Sequence, residues 1–140
     1  MRQIRLATLA AACWLFISGS VLAGPIGDIK STLTTTRQHT MGMLGEDDRA
    51  VLEMRQEEAM KSSKDLDNLL AAAMKNESLR ANQATLAKFK VVWDEFKKTR
   101  DNEIIPMLFA GDRLKARYTA LTTQAPRFKK MNELLDSMPQ

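Results

Sequence analysis

The sequence predicts an all-α fold, an up-down-up-down four-helix bundle that follows an N-terminal signal segment. After that segment, helix-forming residues such as Ala, Leu, Lys, Glu, Met and Arg dominate. No stretch alternates apolar and polar residues for long enough to indicate a strand. Helix-breaking residues divide the rest of the chain into four segments; they are Gly42 and Gly45, residues 75–78, and Gly111 with Asp112.

The N-terminal segment has the pattern of a secretory signal peptide. Two arginines precede an apolar run over residues 6–17, and the small residues that follow end in the Val-x-Ala spacing that signal peptidase accepts. We expect cleavage after Ala23, which assigns residues 1–23 to the signal and residues 24–140 to a periplasmic bundle. The alternative is an uncut anchor in the inner membrane that faces the periplasm, since residues 6–23 are about long enough to span a bilayer.

Composition excludes several kinds of function. The formal net charge of +4 falls to +2 without the two arginines of the signal segment, so we expect no nucleic-acid partner. The only cysteine, Cys13, lies in that segment, so the exported domain would have no disulfide and no thiolate chemistry. Contact with a membrane is expected only if the N-terminal segment is retained.

The first two predicted helices cover residues 26–43 and 47–74. The first has a seam at three- and four-residue spacing, made by Ile26, Ile29, Leu33, Thr36, Thr40 and Met43. The second is less well patterned, because polar residues such as Arg55 and Ser62 lie between apolar positions that are seven residues apart. We therefore expect the middle of the second helix to be loosely packed or wet.

The third predicted helix covers residues 78–109 and has a clear seam. Arg100 falls on this seam, where a buried guanidinium needs a partner. Pro106 has no amide hydrogen to donate to the carbonyl of Asn102, so we expect a bend in the last turns. The full seam is Leu79, Leu86, Phe89, Trp93, Phe96, Arg100, Ile104 and Met107.

The fourth predicted helix covers residues 112–137. Gly111 permits the left-handed conformation that ends the third helix, and Asp112 can accept the first free amide hydrogens of the fourth. A seam at a spacing of about 3.5 residues is typical of helices that pack at shallow angles. The predicted seam is Leu114, Tyr118, Leu121, Ala125, Phe128, Asn132 and Leu135.

The sequence contains none of the local motifs that predict an enzyme or a cofactor protein. It has no Cys-x-x-Cys-His for covalent haem, no Glu-x-x-His pair for a di-iron site, no phosphate loop and no nucleophile–base signature. We predict a protein that is not an enzyme and has no cofactor.

A metal site formed by His39, Met41 and Met43 is an alternative. Imidazole and thioether sulfur suit Cu(I). However, residues two apart on a helix point in different directions, and methionine is a common core residue. A noncovalent haem held by His39 and Met131 is a related alternative.

Arg55, Arg100 and Arg127 are the candidate ligand-binding residues. Guanidinium groups that project between helices can clamp a carboxylate or another small anion in a bidentate manner. The alternative for each arginine is extension to the surface or an internal salt bridge, for which the candidate partners are Asp94, Glu95, Asp101 and Glu103.

Two stretches carry a resemblance to a known family. Residues 89–100, FKVVWDEFKKTR, lead into EIIPMLFAGD at residues 103–112 and then to Ala116. This pattern resembles the periplasmic sensory domain of methyl-accepting chemotaxis receptors, whose third helix commonly has an aromatic residue, an arginine and an isoleucine before a Gly-Asp or Gly-Asn corner. QAPRFKKM at residues 124–131 is similar to the last helix of such domains, and the resemblance covers residues 24–138.

The resemblance implies a role in chemotaxis and signal transduction. It implies a sensory-type bundle that binds a small ligand or a membrane receptor, and it allows a homodimer through the first helix. Ligand-binding positions vary within the family, so none is transferred to this chain. Receptors of this type continue into a second membrane helix and a cytoplasmic coiled coil, whereas this sequence ends at Gln140. We therefore expect a freestanding sensory bundle.

A periplasmic stress chaperone is the alternative of a different class. Small chaperones of this kind are helical and cofactor-free, and they carry Leu-Thr-x-x-Gln repeats. Here residues 121–124 are one residue too short for the repeat and residues 33–38 are one too long. A cradle-shaped chaperone would expose a continuous apolar face, whereas a closed bundle buries its seam.

Overall fold

The computed structural model describes residues 24–139, which form four long helices and no strand. The signal peptide predicted for residues 1–23 lies outside this range. We number the helices α1 (Pro25–Met43), α2 (Arg49–Lys75), α3 (residues 77–109) and α4 (residues 113–136). Every predicted helix boundary lies within two residues of the observed one, and the all-α four-helix bundle is confirmed. None of the described helices is both long enough and apolar enough to cross a membrane.

Side-chain caps set the limits of α2. The Asp48 carboxylate accepts hydrogen bonds from the amides of Ala50 and Val51, at 2.8 and 3.2 Å. At the other end, Asn76 takes an extended conformation, and its side chain accepts a 2.9 Å hydrogen bond from the amide of Ser78. This bond begins the 3₁₀ turn Glu77–Asn82, with which α3 starts. A single residue therefore separates α2 from α3.

The corner between α3 and α4 has the geometry predicted from Gly111 and Asp112. Gly111 is the only residue with a positive φ in the described range, at 81°. Its amide donates to the Leu108 carbonyl at 3.1 Å, and the Asp112 amide donates to the Met107 carbonyl at 2.8 Å, which is a Schellman arrangement. The Asp112 side chain then accepts from the Lys115 amide at 3.3 Å and caps α4.

Both α3 and α4 contain a π turn, in which the helical hydrogen bond spans five residues instead of four. In α3 the turn is Arg100–Ile104, and the amide of Ile105 bonds to the carbonyl of Arg100. In α4 the turn is Ala120–Gln124, and the next amide bonds to the first carbonyl of the turn. The α-helical pieces are Gln83–Thr99 and Ile105–Phe109 in α3, and Arg113–Thr119 and Ala125–Asp136 in α4.

A proline follows each π turn at the same distance. Pro106 and Pro126 are the second residues after their turns, and neither can donate an amide hydrogen to the carbonyl four residues earlier. In a regular helix the proline ring would also press against that carbonyl, so we attribute the wider turns to relief of this crowding. A bend is predicted at Pro106, and the helix contains a π turn just before this residue; the same feature recurs at Pro126, where no irregularity was predicted.

The core consists of two hydrophobic clusters. The terminal cluster lies at the end of the bundle that holds the start of α1 and the end of α4; it contains Ile26, Ile29, Leu33, Leu66, Leu70, Ala73, Leu86, Phe89, Trp93, Phe96, Met131, Leu134, Leu135 and Met138. The distal cluster lies beside the α1–α2 loop and the α3–α4 corner; it contains Met43, Leu44, Leu52, Ile104, Ile105, Leu108, Ala116 and Ala120.

The seam predicted for the first half of α4 is wrong. Leu114, Tyr118 and Leu121 are 84%, 69% and 65% exposed, whereas Ala116 and Ala120 face the distal cluster. Large side chains from the other helices already fill that cluster, so α4 can approach closely only with small residues. The π turn also adds one residue to a helical turn. The spacing of buried residues in the second half of α4 therefore does not predict which residues of the first half are buried.

The same substitution at two leucines of α4 tests this register. We predict that Leu135→Ala lowers the free energy of unfolding by about 2–5 kcal/mol, because Leu135 is fully buried. Leu121→Ala should change it by less than about 0.5 kcal/mol, because that side chain is exposed. Urea denaturation followed by circular dichroism measures both values. Equal losses would contradict the register described here.

Gly111→Ala tests the α3–α4 corner, and Gly45→Ala in the α1–α2 loop is its control. We predict that Gly111→Ala costs about 1–2 kcal/mol, because a Cβ is disfavoured at φ 81° even though the space around it is open. Gly45→Ala, also in open space but without a positive φ, should be neutral or stabilise by up to about 1 kcal/mol. Thermal melting of the two variants gives the comparison, and a neutral Gly111→Ala would contradict the left-handed cap.

Candidate functional site

A layer of buried polar side chains separates the terminal and distal clusters. In each helix the polar position falls between a residue of one cluster and a residue of the other, as Arg100 does between Phe96 and Ile104. Buried polar groups are costly without partners, so their hydrogen bonds determine what this layer can do. We call it the polar layer; its members are Thr36, Thr40, Ser62, Ser63, Thr99, Arg100 and Gln124.

Arg100 is the largest side chain of the polar layer and is only 1% exposed. Its Nε and Nη2 donate to the Asp101 carboxylate at 2.7 and 3.2 Å, and its Nη1 donates to Ser63 Oγ at 2.5 Å. Nη2 also lies 3.6 Å from the sulfur of Met60, which is a weak acceptor. The buried charge is therefore compensated by Asp101, while one donor faces a group that a stronger acceptor can replace.

A cleft of about 610 Å³ lies between α2 and α3, against Arg100. Its volume is within the usual range for small-molecule sites. Half of its lining residues are cationic and two are acidic. We call it the α2/α3 cleft; it is lined by Met60, Lys61, Ser63, Lys64, Asp67, Lys97, Arg100 and Asp101.

Asp67 is held at the edge of the cleft by donors from α3. Its Oδ1 accepts a 2.7 Å hydrogen bond from Trp93 Nε1, and Lys97 Nζ lies 2.7 and 2.9 Å from its two oxygens. Lys97 is also 3.4 Å from Asp94 and 5.3 Å from the centroid of the Trp93 ring. The charges of Asp67 and Lys97 therefore compensate each other.

Lys61 and Lys64 carry the uncompensated charge of the α2/α3 cleft. Both are exposed, they lie one turn apart on α2, and neither forms an ion pair with any residue of the described range. Nothing in the sequence singles them out, since lysines are common on exposed helix faces. Only their position opposite Arg100 distinguishes them, and the resulting excess of positive charge favours a small anion.

Arg127 belongs to the contact between α3 and α4. Its Nη1 donates to Thr99 Oγ1 at 2.7 Å, to Gln124 Oε1 at 3.3 Å and to the Glu95 carbonyl at 3.4 Å. Its Nε lies 3.6 Å from the Glu95 carboxylate. Gln124 Nε2 in turn donates to the Phe96 carbonyl at 2.8 Å. These bonds attach the π turn of α4 to the part of α3 that precedes its own π turn.

Arg55 lies in the contact between α1 and α2. A Cβ on Gly42 would be 2.9 Å from its Nη1, so the guanidinium rests on this glycine. The Arg55 Nε is buried and has no hydrogen-bond partner among the described residues. The three candidate arginines thus have three separate surroundings, and of these only Arg100 lines the α2/α3 cleft.

The candidate metal ligands also have different surroundings. His39 Nδ1 lies 2.9 Å from the Glu58 carboxylate, Met41 is exposed, and Met43 is fully buried in the distal cluster. Met131, the second residue of the haem alternative, is fully buried in the terminal cluster. Within residues 24–139 no group of three or more His, Cys, Asp and Glu side chains is arranged to hold a metal ion.

The charge of Asp94, beside the cleft, depends on Lys90. The two side chains form a 2.5 Å hydrogen bond one turn apart on α3. This hydrogen bond, together with the charge of Asp94, raises the pKa of Lys90. Partial burial acts to raise the pKa of Asp94, but the hydrogen bond from Lys90 and the charges of Lys90 and Lys97 outweigh it, so the pKa of Asp94 is lowered.

A pH-dependent contribution to stability follows from the lowered pKa. A carboxylate whose pKa is lower in the folded state stabilises the fold above its unfolded pKa of about 3.8, and the contribution is lost as the pH falls through the folded pKa. We predict that Asp94→Asn costs about 0.3–0.5 kcal/mol at about pH 6 and nothing at about pH 2, because exposed pairs contribute little. Urea midpoints provide the measurement, with Asp65→Asn, an exposed carboxylate without an ion pair in the described range, as the control. Equal losses at both pH values would contradict the prediction.

Comparison with known proteins identifies the family. A family described as a four helix bundle sensory module for signal transduction matches residues 22–140, which include the α3–α4 corner and Arg100. No curated protein and no solved structure matches the chain significantly. The family match confirms the resemblance to the sensory domains of chemotaxis receptors. The chain therefore belongs to the family of four-helix-bundle sensory modules for signal transduction.

Proposed function

We propose that the bundle is a non-enzymatic sensory domain that recognises a small anion in the α2/α3 cleft. Membership of a sensory family supports the general role. An anion is proposed as the ligand because this cleft has an excess of positive charge. Lys61 and Lys64 lie beside the buried guanidinium of Arg100, and neither lysine has an ion pair among the described residues. Small carboxylates and phosphate have the matching charge and size.

The groups of the cleft would contribute in different ways. Lys61 and Lys64 act as flexible point charges that attract the anion. Arg100 would orient the bound anion, because the Nη2 donor that faces Met60 sulfur would form a stronger, charge-assisted hydrogen bond with an oxyanion. Asp101 keeps the guanidinium oriented.

The family role supports a proposal for the partner and the location. We propose that the domain is exposed to the periplasm and that a membrane receptor reads its state, since sensory modules of this family act in signal transduction. A homodimer through α1 is compatible with this proposal, because α1 contributes no residue to the α2/α3 cleft. The chaperone alternative has less support, since both hydrophobic clusters are buried and the exposed stripe on α4 is the outer face of a single helix.

Thermal melting of residues 24–140 with small carboxylates and inorganic phosphate tests the binding proposal. A ligand that binds only the folded state stabilises it by about 2.7 kcal/mol at a hundred times its Kd, so the midpoint should rise with concentration. The double variant with Lys61→Gln and Lys64→Gln should lose most of this rise.

The matched control is the double variant with Lys88→Gln and Lys98→Gln. These lysines are exposed on α3, lie outside the cleft and form no ion pair with the described residues, so the change of net charge is the same. The control should retain the rise in midpoint. An equal loss in both variants would mean that the rise in midpoint depends on the net charge of the protein and not on binding in the cleft.

A further inference from the structure

The two π turns lie at the polar layer and share one backbone carbonyl. Arg100 begins the π turn of α3, and its amide donates to the carbonyls of Lys97 and Phe96. Gln124 ends the π turn of α4, and its side-chain Nε2 donates to the same carbonyl at 2.8 Å in a buried environment. The start of one π turn and the end of the other therefore share the Phe96 carbonyl as an acceptor.

A second connection runs beside the first. Thr99, the residue before Arg100, accepts a 2.7 Å hydrogen bond from Arg127 through its hydroxyl. Arg127 also donates to Gln124 Oε1 at 3.3 Å, which orients the Gln124 amide toward Phe96. Thr99 is thus bonded directly to α4, and Arg100 is linked to α4 through the Phe96 carbonyl that its amide shares with Gln124.

The Arg100 guanidinium is the part of this hydrogen-bond network that borders the α2/α3 cleft. It is held by Asp101, within its own π turn, and by Ser63 of α2. An acceptor that enters the α2/α3 cleft competes with Ser63 and Met60 for the guanidinium donors. Because the side chain is almost fully buried, a new position of the guanidinium requires the backbone of the turn to adjust.

We propose that this network couples the α2/α3 cleft to the π turn of α4. A change at the Arg100 guanidinium passes through the Phe96 carbonyl and the Thr99 hydroxyl to Gln124 and Arg127, and it alters the hydrogen bonding of residues 120–125. A π turn suits this role because a change of its hydrogen-bond register moves the helical piece that follows it. The signal that drives the change rests on the proposed function, but the coupling is a property of the chain without ligand.

The substitution Ser63→Ala tests the coupling without any ligand. Within the described range the Ser63 hydroxyl bonds only to groups of α2 and α3, and its removal releases one Arg100 donor. We expect hydrogen–deuterium exchange at the amides of Ala125, Arg127 and Phe128 to accelerate by about two- to thirtyfold, the range typical of coupling through packed networks. NMR detects these amides individually.

Ser62→Ala is the matched control. Ser62 is the neighbouring residue, it is also buried, and its hydroxyl accepts from Thr36 of α1 instead of Arg100. Both variants remove one buried serine hydroxyl, so a general loss of stability should be similar in the two. We expect Ser62→Ala to leave the three α4 amides within about twofold of their exchange rates in the unmodified protein. If the alanine variant of Ser63 does not fold, Ser63→Cys provides the same comparison with a weaker acceptor.

Removing both connections to α4 tests the route. Gln124→Met removes the bond to the Phe96 carbonyl and Thr99→Val removes the acceptor of Arg127, so adding Ser63→Ala to this pair should no longer accelerate the α4 amides, as a double-mutant cycle requires. The coupling is overturned if Ser62→Ala and Ser63→Ala act equally on α4, or if the effect of Ser63→Ala survives when both connections are removed. A melting shift with anions but no such exchange effect would overturn the coupling alone, and the reverse result would overturn only anion binding.

Discussion

The structure depends on the burial of one charge, the guanidinium of Arg100. An uncompensated charge at this depth would be prohibitive, so the fold must supply Asp101 and Ser63 at hydrogen-bonding distance. Relative to apolar residues, such a pair adds little net stability, but it restricts the register of the helices, because a slide of α2 along α3 would separate Ser63 from Arg100. The two hydrophobic clusters provide the apolar burial, and the polar layer selects one alignment of the four helices.

Local features of the chain were predictable, and relations between helices were predictable only in part. The breakers, the Asp112 cap and the left-handed Gly111 act within a few residues, so the sequence shows them directly. The burial of Arg100 follows from three-and-four spacing along a single helix. The first half of α4 was assigned to the wrong face, because its closest approach to the core is decided by side chains of other helices and by a π turn. The position of Lys61 and Lys64 beside Arg100 depends on the register of α2 against α3. This register cannot be read from the sequence pattern of either helix alone.

The two prolines connect these observations. Pro106 and Pro126 each follow a widened turn, and the two turns border the same polar layer. At the depth of these turns, side-chain donors also bond to the backbone. Gln124 does so at the Phe96 carbonyl, which already accepts from the Arg100 amide. In a sensory module, a segment whose backbone is partly held by side chains is a suitable place for ligand-dependent adjustment.

Trp93 gives the protein an optical reporter of its own. It is the only tryptophan after residue 23, and its indole is fully buried, bonded to Asp67 and stacked on Phe96 with ring centroids 5.8 Å apart. The carboxylate and the Lys97 ammonium that touch this ring also form the edge of the α2/α3 cleft. In residues 24–140, emission from this one tryptophan will therefore register a change in the electric field at the cleft, and it will do so without a label.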